Sequence, residues 1–217
     1  LNAKNAVIYC DNSSDYGKGL AQYFEKTFTE KGGVILAKEG FVKDDRDFRA
    51  TLTKIKSLNP DFIYVPGYYQ EVAPLIKQAR ELGITVPIGG CDGWDSPDMV
   101  SVAGPEALNN TYFTNHYSSQ DKDPKVVKFV EAFKAKYNKD PDAFAALGYD
   151  SVQIMVQGLK DAGEADPVKL KEALEKIKDF EGVTGKMSID DQHNPVKAGV
   201  IIEFKDGKQV MNTRIQP

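Results

Sequence analysis

What the 217-residue sequence lacks narrows it first. It has only two cysteines, Cys10 and Cys91, and only two histidines, His116 and His193. These form no CxxC pair and fall at no metal-ligand spacing, so neither a disulfide framework nor a zinc site is indicated. No apolar run approaches the ~20 residues that a membrane helix needs. Charge of one sign is also scarce: the net charge is −4, with Lys and Arg dispersed among the acids, which argues against a nucleic-acid surface. Neither GxGxxG nor GxxxxGK[ST] occurs, and the acids in the loops disfavour phosphate further. No secretory leader is visible. The opening "LNAKNAVIYC" enters a strand almost at once and reads as the interior of a longer sequence.

What is present is ordinary soluble composition, 41% hydrophobic and 28% charged, in an unusually regular order. "NAVIYC" reads as a strand, and "DYGKGLAQYFEKTFTEKGG" as a helix with Leu20, Tyr23, Phe24 and Phe28 at helical spacing. "VILAKEGF" with "DRDFRATLTKIKSLNP", "DFIYVP" with "YYQEVAPLIKQARELG", and "TVPIGG" with "SPDMVSVAG" repeat the pair, and "NNTYFTNHY" supplies a fifth strand. Short apolar strands joined by helices imply βαβ crossovers, hence an α/β, doubly wound parallel sheet.

The idiom changes after Tyr117. "YSSQDKDP" reads as a linker, and three helices follow without strands between them, over 125–137, 144–160 and 167–178. Val126, Phe129, Val130, Phe133 and Tyr137 make an apolar stripe on the first. The chain ends in "GVTGKMSID", "AGVIIEF" and "KQVMNTRI", with "KDG" marking a hairpin and an antiparallel sheet. Amphipathic helices over roughly 124–180 therefore lack strands of their own. Either they form an extra layer on the first lobe, or they belong to a second sheet whose strands lie upstream of Leu1.

Ligands of open α/β sheets bind at the carboxyl ends of the strands. The loops there read "DNSSDYG", "VKDDRD", "GYYQE" and "CDGW". A phosphoacceptor domain of the response-regulator kind would need an acid ending the third strand and a lysine after the fifth. This chain has "VPGYY" and "TNHY" instead. Asp92, in "PIGGCDGW", is the acid that stands out. Asp95 and Ser96 before Pro97 are expected to cap the next helix, which leaves Asp92 either as a former of its own turn or as a ligand group among glycines where a backbone approaches closely.

The segments "DNSSDYGKGLAQYFEKTF", "DFIYVPGYYQEVAPLIKQARELGI", "PIGGCDGW", "FVEAFKAKYNKDPDAFAALGYDSV" and "DFEGVTGKMSID" together resemble the branched-chain amino-acid binding proteins of ABC importers, of the type I periplasmic-binding fold. The resemblance covers essentially the whole chain. It implies two lobes around a cleft, with this sequence running from the start of the second lobe to the C-terminus and roughly 100 to 150 residues of the first lobe absent. The implied division is 1–117 for the second lobe, 118–195 for the linker and helices of the incomplete first lobe, and 196–217 for strands returning to the second. Hinges are expected near Ser118–Asp123 and Asn194–Gly199.

The resemblance also assigns site residues. Tyr16 is the aromatic facing the ligand from the first βα loop, Tyr68 the tyrosine beside the ligand's amino group, Asp92 the acid receiving the α-ammonium, and Phe144 an aromatic lining the side-chain pocket. Groups for the α-carboxylate are assigned to the absent segment. The bland readings are a helix staple for Tyr16, a rim position for Tyr68 and core packing for Phe144 and Trp94. The implied function is binding of Leu, Ile or Val outside the cytoplasmic membrane and delivery to ABC permease subunits, without catalysis, cofactor, metal or nucleic acid. A ligand-sensing domain of a receptor or transcription regulator on the same fold is the alternative, and a hydrolase using Cys91 with His116 a third.

Overall fold

In the computed structural model, which describes all 217 residues, the first strand sets the layout. β1 (Asn5–Asp11) is an unbroken apolar run with Ala6 to Cys10 all at 5% exposure or less. Only a strand covered on both faces tolerates such a run. It pairs in parallel with β2 (Val34–Phe41) on one side and β3 (Phe62–Tyr64) on the other, Val7 facing Ala37 and Ile63. β4 (Ile88–Gly90) and β5 (Thr111–Asn115) continue in parallel. β9 (Gly199–Lys205) and β10 (Lys208–Ile215) complete the seven-stranded order β10-β9-β5-β4-β3-β1-β2. The order reverses between β1 and β3, the kind of position at which open α/β sheets bind ligands.

Helices cover the sheet as the periodicity predicts. α1 (Asp15–Glu30) starts at Ser14, whose Oγ accepts the Gly17 N–H at 3.2 Å. α2 (Arg49–Ser57) buries Leu52 and Ile55, and α3 (Tyr69–Glu81) buries Val72, Leu75 and Ile76. α4 (Asp98–Ala103) is short, and its start departs from expectation. Ser96 Oγ does accept the Asp98 N–H, but Asp95 is buried and accepts instead from the Gln209 side chain at 2.8 Å. A partner from the far end of the chain displaces the local cap.

The chain divides into two compact units, Leu1–Thr114 with Ile202–Val210, and Asn115–Ile201 with Met211–Pro217. The second holds α5 (Pro124–Tyr137), α6 (Ala143–Ala162) and α7 (Pro167–Glu175). Asp123, Asp142 and Asp166 cap their N-termini, and Pro follows the cap in two of the three, where its missing N–H costs nothing. β6 (Phe180–Gly182), β7 (Gly185–Ile189) and β8 (Pro195–Lys197) form a separate antiparallel sheet.

α6 and this sheet are joined by Asp150, 2% exposed, whose carboxylate accepts the Val183 and Thr184 N–H groups at 2.8 Å and the Thr184 hydroxyl at 2.7 Å. Gly182 is needed beside it, because a Cβ there would lie 2.5 Å from Asp150 Oδ2. Lys197 donates to the Thr184 carbonyl at 2.9 Å, and burial brings its ammonium down to about 8.

Two consequences are measurable. Asp150→Ala should strip hydrogen-exchange protection from Val183 and Thr184 and cost about 3 kcal/mol in denaturant unfolding, since it orphans three buried donors. Lys197 binds its proton less readily folded than unfolded, so its burial penalty is present below about pH 8 and fades as pH rises toward the ordinary lysine value. Wild type should therefore gain stability relative to Lys197→Met between pH 8 and about 10.4. A pH-independent difference would contradict the burial argument.

Candidate ligand-binding site

Three of the four residues singled out from the sequence meet at the carboxyl ends of β1, β3 and β4. Tyr16, in the first turn of α1, donates its hydroxyl to Asp92 Oδ1 at 2.6 Å and accepts the Gly93 N–H at 2.9 Å. Asp92 opens a single 3-10 turn, Asp92–Trp94, directly after β4. Tyr68, the residue before α3, stacks on Tyr16 with ring centroids 5.0 Å apart and planes 24° from parallel. Tyr68 is exposed, while Tyr16 and Asp92 are half-buried. Phe144 lies in the second unit, on the first turn of α6, and is 44% exposed rather than in a core.

The glycines around Asp92 turn out to serve packing. A Cβ on Gly89 would lie 2.3 Å from the Phe62 ring, and one on Gly90 2.2 Å from the indole of Trp94. Gly93 approaches the Gly67 carbonyl and the Tyr16 hydroxyl so closely that a Cβ would lie 2.8 and 3.2 Å from them. Trp94 is fully buried, its Nε1 donating to the Val65 carbonyl at 3.2 Å, so it is core and not a pocket wall. The glycines shape the platform on which the acid stands.

Electrostatics keep the tyrosine a donor. Burial first, then the adjacent Cys91 and Asp92, push the Tyr16 phenol far above its ordinary range, so its proton stays on oxygen and points at the carboxylate. The same surroundings raise Cys91 to about 11, burial being the main cause, and its Sγ contacts the Gly67 carbonyl at 3.7 Å. That is the reverse of the depressed value an activated thiol needs.

Two carboxylates near these loops carried no sequence signal that marked them out. Asp11 ends β1, 3% exposed, and takes the Ser13 N–H and hydroxyl at 2.9 and 2.5 Å. Glu71, 4% exposed, accepts from the Asp44 N–H at 3.1 Å and from Arg46 at 3.3 Å. Both pin loops at the carboxyl ends of the strands.

A family model described as a periplasmic binding protein matches residues 2–209. The chain belongs to that family. The leucine-, isoleucine-, valine-, threonine- and alanine-binding protein of Pseudomonas aeruginosa is 33% identical over 188 residues, 86% of this chain and 49% of that protein. A Leu/Ile/Val-binding protein homolog of Brucella suis is 30% identical, over 93% of this chain and 53% of its own length. The chain thus spans about half the length of the curated relatives it matches.

Among solved structures, the leucine-binding protein LivK of Thermotoga maritima superposes with a TM-score of 0.93 at 38% identity, covering 99% of this chain and 61% of that one. LivJ of Streptococcus pneumoniae, in complex with isoleucine, gives 0.89 at 42%, covering 100% and 61%. A solute-binding protein of R. palustris in complex with benzoate gives 0.87 at 27%, covering 99% and 59%. The type I periplasmic-binding fold expected from the sequence is therefore the fold of this family member.

With Cys10 and Cys91 both buried and both raised to about 11, only about one thiol in a thousand is ionised at pH 8. Iodoacetamide at that pH should leave both unmodified in the folded chain and alkylate both in guanidinium, as read by intact mass. Rapid labelling of Cys91 in the folded chain would show an accessible, activated thiol and revive the nucleophile.

Proposed function

We propose that this chain supplies the ammonium-recognising half of a site for a small apolar amino acid, Leu, Ile or Val. The protein carrying it would present that amino acid, outside the cytoplasmic membrane, to the permease subunits of an ABC importer. The observation that carries the reading is the Asp92 carboxylate, held by the Tyr16 hydroxyl at the strand ends beside exposed Tyr68. The isoleucine complex of the 42%-identical LivJ supports the ligand class.

The physics suits that class. A zwitterion leaving water must have both charges met, and a carboxylate receiving an ammonium contributes roughly 1.5 to 3 kcal/mol. Burial of a leucine-sized side chain adds about 2 kcal/mol. Tyr16 sets the position of Asp92 through its hydroxyl, and Tyr68 offers an aromatic face. No partner for the α-carboxylate is assigned among these 217 residues.

Half a site binds weakly. Calorimetry on the 217-residue chain should show no micromolar leucine affinity, whereas millimolar leucine should shift the NMR amide signals of the Tyr16, Tyr68 and Gly93 loops. Asp92→Asn should weaken those shifts at least about tenfold, the equivalent of roughly 1.4 kcal/mol. Benzoate, which has no ammonium, should not produce them. Undiminished leucine shifts in Asp92→Asn would end the ammonium assignment.

A further inference from the structure

Two glycines stand in the first turns of α1, and their surroundings differ. Glycine inside a helix weakens it, so each position has a cost. A Cβ on Gly19 would meet nothing within 4 Å, whereas one on Gly17 would lie 2.7 Å from the Asp11 carbonyl oxygen and 3.2 Å from that of Pro66. Gly17 is buried, and its N–H is the one that Ser14 Oγ caps.

The two carbonyls belong to backbone that is tied down. Asp11 ends β1 opposite Phe41 of β2, its N–H donates to the Pro66 carbonyl at 3.1 Å, and the Asn12 N–H donates to the Phe41 carbonyl at 2.8 Å. A side chain at position 17 would therefore have to be accommodated by the helix. Moving its Cβ from 2.7 Å out to the 3.4 Å of an ordinary contact lifts the first turn by about 0.7 Å. Tyr16 is the preceding residue on that turn, with its hydroxyl 2.6 Å from Asp92 Oδ1 and 2.9 Å from the Gly93 nitrogen. The same displacement at the hydroxyl would stretch the second bond to about 3.6 Å, too long for a hydrogen bond.

We propose that Gly17 is a positioning residue of the candidate site. Its missing side chain lets the first turn of α1 sit down on the Asp11 and Pro66 carbonyls, and that depth puts the Tyr16 hydroxyl between Asp92 and the Gly93 amide. Gly17 acts through Tyr16 alone. Its consequence for binding rests on the amino-acid reading proposed above, but the seating of Tyr16 is measurable without ligand.

The test is hydrogen exchange at the Gly93 amide, whose acceptor is the Tyr16 hydroxyl, in the 217-residue chain. Gly17→Ala should speed it at least about tenfold. The Ile63 and Ile88 amides, bonded to the Pro87 and Asn110 carbonyls within the sheet, should keep their protection. Gly19→Ala should raise the unfolding midpoint and leave Gly93 as it is. In a Tyr16→Phe background, which lacks the accepting oxygen, Gly17→Ala should add no further acceleration. With leucine present, Gly17→Ala should weaken the induced amide shifts as much as Tyr16→Phe does, and the two together no more than either. The proposal is overturned if Gly93 stays protected in Gly17→Ala, if Ile63 and Ile88 lose protection with it, if the variant does not fold, or if the two changes add. Gly93 exchange that follows the cycle, with no leucine response in the parent chain, would sustain the positioning role and sink the amino-acid reading. Leucine-dependent shifts with Gly93 exchange indifferent to Gly17→Ala would do the opposite.

Discussion

The Tyr16 hydroxyl is the joint on which the candidate site depends. It links the first turn of α1 to the turn after β4, across 76 residues of sequence, by giving its proton to Asp92 and receiving one from the Gly93 amide. Burial and the neighbouring anion keep the phenol protonated, so the bond holds across the physiological range. The bond gives one oxygen of a half-buried carboxylate on a three-residue turn a fixed position, and preorganisation of that kind would lower the ordering cost of the proposed binding.

That joint exists because of a topological fact. The strand order reverses between β1 and β3, and the helices that follow these two strands carry at their starts Tyr16 and Tyr68, whose rings stack at the sheet's carboxyl edge. Supporting groups are buried and inflexible. Trp94 fills the space above Gly90, and Asp11 and Glu71 fasten the adjoining loops. The second unit has its own cluster around Tyr117, Phe129 and Val183, and α6 carries exposed apolar side chains.

Much of this was legible in residue order. The alternation of apolar runs with helical stripes located every strand of the parallel sheet. The three helical segments read after Tyr117 correspond to α5, α6 and α7. Asp92 stood out among the strand-end loops, but Tyr16 and Tyr68 were reachable only through resemblance, because no local pattern distinguishes a tyrosine that stacks on another from one that staples a helix. Two local inferences misled. Asp95 reads as a cap but is taken by Gln209, and the glycines around Asp92 read as clearance for a ligand but make room for Phe62, Trp94 and the Gly67 carbonyl.

The sequence by itself determined the elements, their order and the α/β class, since periodicity and capping act over neighbours within a turn or two. Which side chains meet, and whether a carboxylate is aimed or merely present, was decided by tertiary structure alone. Those outcomes depend on strand register and on clearances of a few tenths of an ångström between residues tens of positions apart, and no short window of sequence records such distances.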